Sequence, residues 1–221
     1  MHDPMVLIVF AAGAVVLVGA GIYLNRQWER KRSAALGDVA LRMGFNFLQQ
    51  IPEAQLEALG SFPLFKHGHS KRARNLMRGR SGDTELVLLD YQYTTGGGKN
   101  SHTWRQTVAV YPAGGGGLPE FTLAPENILA KIGTLFGYQD IDFEASEEFS
   151  EHYLLRGPDE TAIRSAFGME ALGYFAAHLG WSVESHGGAL AVYRTSKRCA
   201  PEEIQSFVAD VDTVRRALVR G

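Results

Sequence analysis

The chain has 221 residues, with 22 Lys and Arg against 24 Asp and Glu, and 45% of its residues are hydrophobic. The first 32 residues hold four of the cations and two of the acids, so the remainder carries 18 against 22, a net charge of −4. A mildly acidic domain makes a poor general nucleic-acid binder, because phosphate contacts need a concentrated cationic surface. Cys199 is the single cysteine, which excludes an intrachain disulfide or a thiolate zinc cage and suits a reducing cytosol.

The stretch Met5–Leu24 reads MVLIVFAAGAVVLVGAGIYL and carries no charge. At about 1.5 Å per residue such a helix covers about 30 Å, the hydrocarbon thickness of a bilayer. It has no cationic start and no small-residue cleavage site at its polar end, so it is expected to stay as an uncleaved anchor. Tyr23 and Trp28 fall where aromatic rings favour the headgroup layer. Arg26, Arg30, Lys31 and Arg32 follow the run, while Asp3 lies before it. The positive-inside rule then places the N-terminus outside and the rest in the cytoplasm of an inner (cell) membrane. The expected division is an external tail over 1–4, a transmembrane helix over 5–24, a juxtamembrane helix over 25–44 and a cytoplasmic domain over 45–221.

Within the domain, Leu36, Val39, Ala40 and Met43 give residues 33–44 a helical stripe that Gly44 ends. A helical turn is expected near 53–59, and Phe62–Phe65 is expected to open a β-rich region. Glu85–Tyr93 and Thr103–Tyr111 are the clearest strands. In the first, Val87, Leu89, Tyr91 and Tyr93 share a face; in the second, Trp104, Gln106, Val108 and Val110 do. Ala124-Pro125-Glu126 reads as a helix start, with a stripe of Ile128, Leu129, Ile132, Leu135 and Phe136 and a stop at Gly137. A strand over His152–Arg156, helices from Asp159 and over 169–179, a hairpin around His186-Gly187-Gly188 and a final helix from Pro201 complete the reading. Strands paired antiparallel with helices against one face make an α+β domain.

No pattern names a reaction, a cofactor or a metal. Lys66, Lys71, Arg72, Arg74, Arg78 and Arg80 concentrate positive charge that a surface beside anionic lipid headgroups, or an acidic partner, could use. Asp140, Asp142, Glu144, Glu148 and Glu151 imitate the spacing of a calcium loop, but Ala145 stands where the turn needs Gly. Gly96-Gly97-Gly98-Lys99 lacks the Ser or Thr and the following helix of a phosphate loop. His67 and His69 could share a strand face, yet further ligands such as His102 or His152 would have to come from afar. No Gly-x-Ser-x-Gly elbow is present.

The segments LPEFTLAPE, DIDFEASEEFSEHYLLRGPDE and WSVESHGGALAVYRT resemble those of a family of uncharacterised bacterial single-pass membrane proteins. The resemblance covers about residues 60–195 and implies one cytoplasmic unit of bacterial type. It brings no activity and no site residue. The function expected is therefore a membrane-anchored interaction module that meets another envelope protein or anionic lipid headgroups. The competing expectation is a membrane-associated enzyme, such as a hydrolase, with Asp90, Asp140 and Asp142 in a cleft and Gln106 as a second polar residue on an apolar strand.

Overall fold

A computed structural model describes residues 4–52, 55, 59, 62–128 and 139–219, and of residues 4–12, 14 and 15 it describes the backbone alone. Helix α1 runs unbroken from Pro4 to Arg42. Its last turns carry Leu36, Val39 and Ala40 on one side, all buried, because positions i, i+3 and i+4 face the same way. Gly44, at φ +70°, ends it. The Phe45 amide there donates to the Ala40 carbonyl at 2.8 Å and the Gly44 amide to that of Leu41, the left-handed closure at which glycine has no Cβ penalty. The last turns of α1, within the segment expected as a juxtamembrane helix, are thus also core.

Among the described residues, eight strands form one antiparallel sheet in the order β1-β2-β3-β4-β8-β7-β5-β6. They are β1 (Asn46–Gln50), β2 (His69–Ser81), β3 (Thr84–Thr95), β4 (His102–Tyr111), β5 (Phe121–Pro125), β6 (Tyr153–Arg156), β7 (Ser182–His186) and β8 (Ala189–Tyr193). Strands β1 to β4 meander, and the β7–β8 hairpin then joins β4 to the β5–β6 pair. Helices α2 (Pro63–Lys66), α3 (Glu147–His152), α4 (Glu160–Ala166), α5 (Met169–Ala177) and α6 (Ile204–Val219) pack on this frame.

Alternation along the strands divides the core in two. Leu86 and Leu88 of β3 and Ala109 and Tyr111 of β4 face a large cluster with α1, α3, α4, α5 and α6. On α6 the stripe is Ile204, Phe207, Val208, Val211, Val214 and Leu218. Val87, Leu89, Tyr91 and Tyr93 face the other way, with Trp104, Val108 and Val110, and are covered by Phe62, Leu64 and Phe65. The expected α+β class and the two faces of β3 and β4 are therefore present.

Two expectations need correction, and one strand was not anticipated. Phe62–Phe65 does not open a strand: Pro63 starts the helical turn α2, and the Leu64 amide donates to Glu184 Oε2 at 3.0 Å. Ala124 and Pro125 do not start a helix but end β5, where Leu123 is opposite Leu155 of β6 and Val183 of β7. Residues 126–128 are helical, and the rest of that expected stripe lies outside the described residues, as does most of the turn near 53–59. Strand β1 had no counterpart in the reading of the chain; its NFLQQ is polar and mostly exposed at the sheet edge.

Candidate functional site: a basic groove between helix α1 and the sheet edge

Helix α1 is bolted to the domain by polar side chains five to nine residues past the apolar run. Arg32 donates through Nε to Asp90 Oδ2 at 2.7 Å and through Nη2 to Oδ1 at 2.8 Å. Asp90 also accepts from Asn75 Nδ2 at 2.9 Å and Thr107 Oγ1 at 3.1 Å, so this buried carboxylate is fully engaged. Burial works against the Arg32 charge, but the Asp90 hydrogen bonds and carboxylate outweigh it and hold the guanidinium pKa above its ordinary value. Ser33 Oγ donates to Asn75 Oδ1 at 2.7 Å, and Arg198 pairs with Glu29 at 2.6 Å.

Asn75 reaches both partners because β2 bulges there. The register slips between Arg74 and Met77, and Asn75 takes φ +54°, a left-handed conformation that asparagine tolerates better than most residues. The bulge also splits the basic run. Arg72 and Arg74 lie opposite Gln92 and Asp90, on the face that α1 covers, because directly paired residues share a face. Arg78 lies opposite Val87, on the other face, where it pairs with Glu85 at 2.6 Å. Arg80 donates to the Asp83 carbonyl, and Lys71 to the Lys66 carbonyl.

The consequence is a groove of about 580 Å³ lined by Arg26 and Arg30 of α1, Arg72 and Arg74 of β2 and Gln49 and Gln50 of β1, open beside Ile22. Arg26 and Arg30 are one helical turn apart and stack along the helix. All four arginines are exposed. Among the described residues none of them pairs with a carboxylate, while Glu29, which also lines the groove, is held by Arg198. The arrangement can take up anions: guanidinium groups bind phosphate or carboxylate oxygens in pairs. Of the expected cations, Arg26, Arg30, Arg72 and Arg74 are brought together. Arg32 is used internally, Lys31 lies along α1 beside Leu24, Gln27 and Trp28, and Lys66, Lys71, Arg78 and Arg80 lie elsewhere.

The acids of the enzyme reading do not meet. Asp90 is on β3, whereas Asp140 Oδ1 accepts the amides of Ile141 and of Leu155 on β6. Those strands are five steps apart in the sheet, roughly 24 Å at about 4.8 Å per step. Burial raises the Asp140 pKa, partly offset by the Leu155 amide. Gln106 points to the face opposite Asp90, its Oε1 accepting weakly from Ser196 N at 3.4 Å. His67 packs edge-on against Tyr93, whereas His69 engages Ser70 and the Gly96 carbonyl. Among the described residues no three His, Cys, Asp or Glu side chains converge on a metal position. Cys199 is buried, and burial pushes its thiol up to about 11.

One buried acid escaped the reading of the chain. Glu184, 1% exposed on β7, accepts from the Leu64 amide and from Tyr193 Oη at 2.8 Å. Burial pushes its carboxyl up to about 7, against those two hydrogen bonds and the Lys66 charge. It ties α2 onto the sheet. The alternation of Val183, Glu184 and Ser185 gave no sign of it, since an outward-facing polar residue on a half-buried strand looks the same.

No family model, no curated protein and no solved structure matches the chain.

Proposed function

We propose that the chain is a single-pass membrane protein, its N-terminus outside and its α+β domain in the cytoplasm, and that the domain is an interaction module held against the bilayer. The observation that carries this reading is helix α1. Every residue from Val16 to Arg26 is exposed, and Val16, Leu17, Val18, Ile22, Tyr23 and Leu24 cover the helix on all sides. A helix that is apolar all round needs an apolar surrounding, and its domain end supplies none. Among the described residues no helix is long and apolar enough to cross a membrane; the side chains over most of Met5–Val15 lie outside them.

The same helix then enters the core without a break, so there is no linker to let the domain drift. Recognition falls to the surface beside the bilayer, and the surface there is the four-arginine groove. A module of this kind meets an anionic partner, either lipid headgroups or another envelope protein.

Alkaline extraction of membranes holding the full-length chain tests the anchor. The wild type stays in the pellet, and a Leu17→Asp/Val18→Asp variant, with charge set into the apolar run, is released. Release of the wild type itself would overturn the reading.

A further inference from the structure

We propose that the groove between α1 and the β1–β2 edge is a binding site for the phosphate of an anionic phospholipid, resting on the membrane-anchored reading above. Depth is the first argument. Arg26 and Arg30 follow Leu24 by two and six residues, roughly 3 and 9 Å along the axis at about 1.5 Å per residue. The headgroup layer occupies roughly the first 5–8 Å beyond the hydrocarbon. The groove mouth is marked by Ile22, which stands 51% exposed where an acyl chain would run alongside the helix.

Charge is the second argument. Four arginines converge from α1 and β2, the two pairs more than 40 residues apart in the chain, and the only carboxylate lining the groove among the described residues is already paired with Arg198. Four unneutralised guanidiniums at one place repel one another, a cost that an anion removes. Gln49 and Gln50 add amide donors for ester or glycerol oxygens. The volume of about 580 Å³ admits a phosphoglycerol headgroup and leaves the acyl chains in the bilayer. Arg78, by contrast, is paired with Glu85 and lies on the other sheet face.

The test is native mass spectrometry of the full-length chain released from detergent, titrated with phosphatidylglycerol or phosphatidylcholine. The expected result is retention of phosphatidylglycerol over phosphatidylcholine, weakened by salt. A cation beside an anionic headgroup is worth about fivefold in affinity, so Arg26→Gln/Arg30→Gln and Arg72→Gln/Arg74→Gln each lose roughly thirtyfold. Arg78→Gln/Arg80→Gln removes the same charge from the other face and stays within about twofold of wild type. Unchanged thermal unfolding of the groove variants shows that they are folded. Equal retention of the two lipids, or equal loss in the Arg78/Arg80 control, overturns the proposal. Glycerol phosphate in solution binding as well as the lipid would assign the site to a soluble phosphate, and an acidic protein segment displacing the lipid would assign it to a protein; either also overturns it. Failure of the anchor is read separately, as release of the wild-type chain by alkali. A chain that stays in the membrane but shows no lipid preference refutes only the groove.

Discussion

At the scale of single residues, Asp90 and Glu184 are both buried carboxylates, and the structure treats them oppositely. Asp90 accepts from Arg32 and from two neutral donors, so it is a structural clamp. Asp90→Ala leaves a largely buried guanidinium without its counter-charge, which costs about 3 kcal/mol or more; chemical denaturation should show the loss at pH 7. Among the described residues Glu184 has no ion-pair partner, and its folded pKa of about 7 lies above its ordinary 4.5. The folded state therefore binds the proton more tightly than the unfolded one. Its contribution is complete below pH 4.5 and is lost as pH rises through 7, a change on the order of 3 kcal/mol. Glu184→Gln should flatten the pH dependence of the unfolding free energy between pH 5 and 8 and leave the variant more stable than wild type at pH 8. An unchanged slope would remove the assignment. A lone thiol gives a third lesson: Cys199, buried and shifted upward, would resist thiol reagents on either side of a membrane, so its silence carries no information about topology.

At the scale of elements, β2 organises the candidate site. Its bulge at Asn75 turns Arg72 and Arg74 toward α1 and Arg78 toward the far face, and its Gly79 lies directly under the Phe45 ring, which a Cβ would overlap. Gly79→Ala should therefore cost about 1–3 kcal/mol as overpacking, whereas Gly82→Ala, in the open β2–β3 turn, crowds nothing and pays only for its left-handed φ. A difference in melting temperature between the two measures the crowding. Elements with local signals were legible in the sequence: the Leu36, Val39, Ala40 stripe with its Gly44 stop, the alternating faces of β3 and β4, and the α6 stripe. Elements decided at long range were not. Pro63 begins a turn because Glu184, 120 positions away, accepts the Leu64 amide. Thr122–Ala124 extends because β6 and β7 flank it on both sides, so helix begins only after Pro125, at Glu126. The basic run looked like one charged edge, since a bulge that swaps faces leaves little trace in a polar stretch.

At the scale of the whole molecule, one helix joins the apolar run to the core. On the membrane-anchored reading proposed above, a domain welded in this way would keep a fixed height and tilt over the bilayer, and that fixed geometry would set the four arginines of the groove beside the headgroups. The central claim is therefore orientation with attachment. The most direct measurement is labelling of the full-length chain by a membrane-impermeant thiol reagent, using Cys199→Ala with Ser101→Cys, an exposed position in the β3–β4 connection. The account predicts no labelling in intact cells, full labelling once the inner membrane is permeabilised, and retention in the alkali-washed pellet. Labelling of Ser101→Cys in intact cells would contradict it.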